Sequence, residues 1–144
     1  MPVGASITKV MATKGYGADV KFIGDRLDVA IAAAKEASEQ NGSFFISPFD
    51  HPHIVAGQGT VGLEILEQLP DVDEVYVPIG GGGLAAGILI AIKEKNPNIK
   101  IVGVQSNSFP SMYESIKNNS LTECGGDRTI ADGISVKMPG KKTF

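Results

Sequence analysis

The chain has 144 residues, a net charge of −3, high glycine content and a single cysteine, Cys124. That length suits one domain or two parts of a larger protein, and folding would remove roughly 70% of the unfolded surface from water. The composition excludes a disulfide framework, a cysteine-based zinc cluster, a membrane span (the longest apolar run is Leu84 to Ile92) and a basic nucleic-acid stripe, because the lysines are scattered.

At the amino end, MPVGASITK lacks the charged-then-apolar layout of a signal peptide, so a soluble cytoplasmic protein is expected. Val3 to Lys14 places Ile7, Val10 and Met11 at helical spacing. Val20, Phe22 and Ile23 read as a short strand. Gly24-Asp25 reads as a turn, with Asp25 placed to cap a helix over about Arg26 to Gln40. Leu27, Ile31, Ala34 and Ala37 or Ser38 form its stripe, and Asn41-Gly42 ends it as a left-handed cap would. SFFIS reads as a second strand, and the two prolines of PFDHPH predict an irregular crossing.

The next block starts with GQGTVGLEILEQL, a helix entered through glycine, with Val61, Ile65 and Leu69 spaced by four and Pro70 as its stop. EVYVPI is a strand with little alternation, as expected when both faces are buried. Leu84 to Lys95 predicts a nearly all-apolar helix, KIVGVQS a further strand, and Pro110 to about Lys117 a helix. The rest, LTECGGDRTIADGISVKMPGKKTF, reads as loop, with KMPGKK as a polar tail. Strands alternating with helices predict an α/β fold of parallel βαβ units, and the low strand count predicts an incomplete sheet.

Four glycines, Gly80 to Gly83, lie where the strand over 74–79 meets the following helix. This is the carboxyl edge of a parallel sheet, where open α/β proteins bind ligands. Glycines let the backbone approach closely, and the helix N-terminus adds about half a positive charge, so the stretch predicts an anion cradle made of main-chain N–H groups. It lacks the Lys-Ser/Thr of a nucleotide P-loop and the GxGxxG spacing. The alternative is a tight turn where strand and helix pack closely. AGQGT, Ala56 to Thr60, is a second glycine-bearing helix start, read either as a simple capped start with Thr60 as cap or as a second anion-facing turn.

His51 and His53 flank Pro52, too few ligands for a metal site, and a solvated loop is expected there. Cys124 has no local base and reads as an inert thiol. Asp127, Arg128 and Asp132 lie in DRTIADGISV, whose Asp-Gly suggests a turn with solvated charges.

MPVGASITKVMATKGYGADVKFIG, HIVAGQGTVGLEIL, VPIGGGGLAAGI, GVQSNS and TIADGISV resemble, in this order, the fold-type-II pyridoxal-phosphate enzymes, most nearly the threonine dehydratases (threonine ammonia-lyases), with serine racemase a near relative. The resemblance covers essentially the whole chain. It implies three-layer αβα parallel sheets, with residues 1–48 part of a small domain and 49–144 part of a large domain. It implies that Gly80, Gly81, Gly82, Gly83 and Leu84 bind the phosphate of pyridoxal 5′-phosphate. It implies a nucleotide effector site near Gly15 and Tyr16 at a subunit interface. Tyr16 also reads as a core or interface aromatic.

Members of the family carry, upstream of the matched stretches, a Ser-x-Lys segment whose lysine forms the Schiff base and an Asn-containing segment, and downstream a Ser-Gly-Gly stretch; the resemblance matches none of these to residues here. The expectation is therefore an internal fragment of a homo-oligomeric lyase acting on threonine or serine, inactive alone and contributing no catalytic residue. A serine racemase-like fragment, a stand-alone phosphate- or nucleotide-binding module, and a non-binding structural fragment pairing through sheet edges are the other readings.

Overall fold

The computed structural model describes residues 1–126 and 129–144, so Asp127 and Arg128 of the DRTIADGISV stretch lie outside the described residues. The described chain divides into two compact units, Met1–Ile46 and Ser47–Phe144.

In the first unit, α1 (Ile7–Gly15) buries Val10, and α2 (Leu27–Asn41) fully buries none of its side chains. The cap expected from Asp25 is not formed. Arg26 holds the N-cap position without a side-chain cap bond, and Asp28 in the first turn pairs with Arg26 at 2.6 Å. Gly42 closes α2 in the left-handed region at φ 70°, as the Asn-Gly pair predicts. Segments 20–23 and 43–47, expected as strands, carry no ladder among the described residues. Single bonds tie Ile23 N–H to the Met1 carbonyl at 2.9 Å and Val3 N–H to the Gly24 carbonyl at 2.8 Å. Apolar content makes a segment suitable for a sheet, but a strand exists only against a partner backbone.

In the second unit, α3 (Pro52–Gln68) begins at Pro52 and not at Gly57. Proline suits the first helical position, where its missing N–H would have had no partner. His51 is the N-cap, its Nδ1 accepting from His53 N–H at 3.2 Å. β1 (Glu74–Pro78) and β2 (Lys100–Val104) pair in parallel, Glu74 opposite Lys100 and Pro78 opposite Val104, with α4 (Gly83–Lys95) as the crossover between them. This is the βαβ unit read from the sequence, shorter at its strand ends.

The core of this unit is Val77, Ile88, Ile92 and Ile99, with Leu66, Val75, Leu84 and Ile101 packed around it. The continuous apolar run predicts that β1 buries both faces. Instead it alternates: Val77 is 1% exposed and Tyr76 is 64% exposed, since α4 packs on the side that carries Val75 and Val77. α5 (Ser111–Asn118) follows, with Ser111, Met112 and Ser115 buried, and a short 3-10 turn spans Asp132–Ile134. The chain after it is not a polar tail. Pro139 and Gly140 are buried, and the amides of Lys141 and Lys142 bond to the Asp50 carboxylate at 3.1 and 2.8 Å.

Candidate functional site: the glycine loop ahead of α4

β1 hands directly into the glycine loop. Ile79 N–H still bonds to the Val104 carbonyl at 2.8 Å, so the sheet pairing reaches the residue before Gly80. Gly82 is the N-cap of α4 at φ 99°, a conformation that side-chain-bearing residues rarely adopt. Its carbonyl accepts from Ala86 N–H at 2.9 Å, which starts the helical ladder.

The main-chain N–H groups of residues 80 through 85 behave differently. Among the described residues, none of them has an acceptor. Gly81, Gly82 and Gly83 are buried, and Gly80, Leu84 and Ala85 are half-buried. The first N–H groups of any helix lack an intrahelical partner, and here the loop amides of residues 80 to 82 continue that run, so six consecutive donors are open to an acceptor. The dipole of α4 adds positive potential at the same point.

Packing also demands these glycines. A Cβ on Gly81 would fall within the Phe49 ring. On Gly82 it would stand 2.7 Å from Met112 Cε and from Thr143 Oγ1, on Gly83 2.8 Å from the Phe49 carbonyl, and on Gly80 3.1 Å from Val136 Cγ2. Close packing therefore explains the absence of side chains. It does not explain the donors; those of the buried Gly81, Gly82 and Gly83, left without any acceptor, would cost roughly 1–3 kcal/mol each.

Three residues around the loop were not legible as site residues. Asp50, the buried Gly140 and Thr143 fasten the 139–144 segment to it: Gly140 N–H and Thr143 Oγ1 donate to the Gly81 carbonyl at 3.0 and 2.6 Å, and Asp50 holds the two amides between them. A Pro-Gly pair followed by a hydroxyl residue is the only local signal, and it is common in ordinary turns.

AGQGT does not start a helix. It lies inside α3, with Thr60 Oγ1 donating to the Gly57 carbonyl at 2.8 Å. Gly59 and Gly62 face α4, which is why they lack side chains. A groove of about 510 Å³ runs along α3 and α4, lined mainly by apolar groups including Val55, Leu63, Ile90 and Ala91, with Glu94, Lys95 and Lys142 also in its lining. Gly15 ends α1, and Tyr16 beyond it is 90% exposed in the Met1–Ile46 unit, which removes the core reading of that ring. Cys124 is half-buried, its N–H bonded to the Lys137 carbonyl at 2.8 Å. At the opposite end of β1, Tyr76 Oη donates to Glu74 Oε2 at 2.7 Å and Lys100 Nζ to Glu74 Oε1 at 3.0 Å. The Tyr76 bond first, and Lys100 after it, hold the Glu74 carboxyl below the usual range.

A family profile described as pyridoxal-phosphate dependent enzyme matches residues 1–144. The chain is 47% identical, over its whole length, to an L-threonine ammonia-lyase of Thermotoga maritima, of which it covers 36%. It is 49% identical to the L-threonine dehydratase catabolic TdcB of Escherichia coli, covering 44% of that protein. Among solved structures, the processed form of threonine deaminase isoform 2 from Solanum lycopersicum matches 99% of this chain with a TM-score of 0.91 and 39% identity, the match taking up 42% of that chain. Serine racemase from Dictyostelium discoideum matches 99% of this chain with a TM-score of 0.85 and 36% identity, over 45% of its own length. The chain thus spans well under half the length of these proteins.

Proposed function

We propose, because the chain belongs to the family of pyridoxal-phosphate dependent enzymes, that it is the phosphate-anchoring part of an L-threonine ammonia-lyase, which converts threonine to 2-oxobutanoate and ammonia. The observation that carries this reading is the run of buried and half-buried N–H groups from 80 to 85 with no acceptor among the described residues. A phosphate dianion fits it: it offers several strong acceptors, needs no counter-charge beyond the helix dipole, and sits well where no side chain has room.

Gly80, Gly81, Gly82, Gly83 and Leu84 would hold the phosphate through their amides. Phe49 covers Gly81 and keeps water off that side of the loop. When bound, the pyridine ring system supplies an electron sink for a carbanion at the amino-acid α-carbon. The chain's own share is to bind and orient, with no general acid or base assigned to it.

Residues 1–48 then belong to a small domain and 49–144 to a large one. The division of contacts between Ile46 and Ser47 supports that boundary. Gly15 and Tyr16 would form part of an effector site in a homo-oligomer, a reading supported by the exposure of Tyr16. A cytoplasmic location goes with the same reading. No helix among the described residues is long and apolar enough to cross a membrane. Threonine dehydration is favoured over serine racemisation by the 47–49% identity to threonine enzymes against 36% to the racemase structure.

Gly82→Asp in the protein carrying this sequence tests the site, because it places a negative charge and a Cβ at the loop's left-handed position. Cofactor absorbance retained after dialysis should be lost. Retention equal to wild type sinks the loop assignment. Release of 2-oxobutanoate from threonine, compared with D-serine formation from L-serine, tests the reaction.

A further inference from the structure

We infer that Thr143, held in place by Asp50, is a positioning residue that aims the Gly82 N–H into the phosphate cradle; this rests on the phosphate reading given above. A trans peptide is planar, and its C=O and N–H point in opposite directions. The Gly81 carbonyl and the Gly82 N–H belong to one such plane. Whatever fixes the carbonyl therefore fixes the direction of the amide.

The Gly81 carbonyl is held twice, by Thr143 Oγ1 at 2.6 Å and by Gly140 N–H at 3.0 Å. The Thr143 hydroxyl has one proton, and the Gly81 carbonyl is its nearer acceptor, since the Gly140 carbonyl lies at 3.3 Å. Glycine flanks the plane on both sides, so no Cβ resists its rotation. In a loop of four glycines, these two bonds are what keep the plane from turning its carbonyl toward an anion.

The lock itself is anchored. Asp50 accepts from the amides of Lys141 and Lys142 at 3.1 and 2.8 Å, which fixes the backbone between Gly140 and Thr143. Asp50 N–H in turn bonds to Ser47 Oγ at 3.0 Å. The anchor and the bonds to Gly81 all lie within the Ser47–Phe144 unit, and they bring together residues up to 92 positions apart.

The test compares affinity for pyridoxal 5′-phosphate with affinity for pyridoxal, which lacks the phosphate, in the protein carrying this sequence. Thr143→Val removes the hydroxyl at nearly constant shape, and Thr143→Ser keeps it. The wild type's preference for the phosphorylated form should fall about tenfold in Thr143→Val, as expected for misdirecting one charge-assisted hydrogen bond. Thr143→Ser should restore it, and affinity for pyridoxal should stay constant. A purely structural role would weaken both ligands alike or neither.

If Thr143→Val does not fold, Asp50→Asn, which leaves one oxygen to accept, should lose part of the preference. Undiminished preference in the folded variants overturns the inference while leaving the phosphate site standing. A wild type that binds both ligands equally overturns the phosphate reading and this inference with it.

Discussion

Gly87 of α4 lies so close to Gly59 of α3 that a Cβ on Gly87 would stand 2.6 Å from the Gly59 amide nitrogen, and it would also overlap the Val55 carbonyl. A Cβ on Gly62 would meet the Ile88 carbonyl at 3.2 Å. The two helices thus touch backbone to backbone through glycine. Gly87→Ala would push them apart along their whole contact and should destabilise the protein by about 3 kcal/mol, at the upper end of ordinary overpacking. Gly57 of α3 has nothing within 4 Å, so Gly57→Ala should be neutral or stabilising by up to about 1 kcal/mol. Urea midpoints of the two variants check the contrast, and equal midpoints would rule out the close approach.

Those same glycines explain where the sequence misleads. Gly57, Gly59 and Gly62 look like a loop and a late helix start, so the local pattern starts the helix at Gly57, whereas α3 begins at Pro52. Interhelical glycine is set by a neighbour distant in sequence, and local pattern holds no trace of it. β1, α4 and β2 were legible to within a residue or two, because apolar runs bounded by Gly, Asn-Pro and Asp are strong local signals. The segments at 20–23 and 43–47 were legible as apolar but not as unpaired. The glycine loop is legible for the reason β1 is: it sits at a strand-to-helix junction. Its supports were not, since Asp50 and Thr143 reach it across the chain.

Gln105 makes three bonds at the end of β2. Its Nε2 donates to the Ile79 carbonyl at 3.3 Å and the Phe109 carbonyl at 3.2 Å, and its Oε1 accepts from Tyr113 N–H at 2.9 Å. One side chain thereby pins the residue before the glycine loop to the start of α5. Gln105→Glu would set a carboxylate against two carbonyl oxygens. The loss should be about 2 kcal/mol at neutral pH. It should shrink as the pH falls and the new carboxyl gains a proton to donate. Stability measured at pH 7 and pH 4.5 relative to wild type checks this, and a pH-independent difference would rule out the donor role.

Glu74 offers a pH-linked test at the far end of the same sheet. Its carboxyl is held below the usual glutamate range, first by the Tyr76 hydroxyl and then by Lys100. A carboxyl whose folded pKa is depressed adds stability above its unfolded pKa, and that stability is lost as pH falls through the folded value. Tyr76→Phe removes the largest cause and keeps the ring. The Glu74 carboxyl, followed by NMR, should then titrate closer to the ordinary range. The wild type's advantage over Tyr76→Phe should be present at neutral pH and vanish in acid. Lys100→Met should move Glu74 in the same direction, because both its hydrogen bond and its charge lower the carboxyl's pKa. If Lys100→Met leaves the titration where it is, the ion pair does not act on Glu74 in solution. Both groups are exposed, so added salt should weaken the Lys100 effect and leave most of the Tyr76 effect, a neutral donor's bond being little screened.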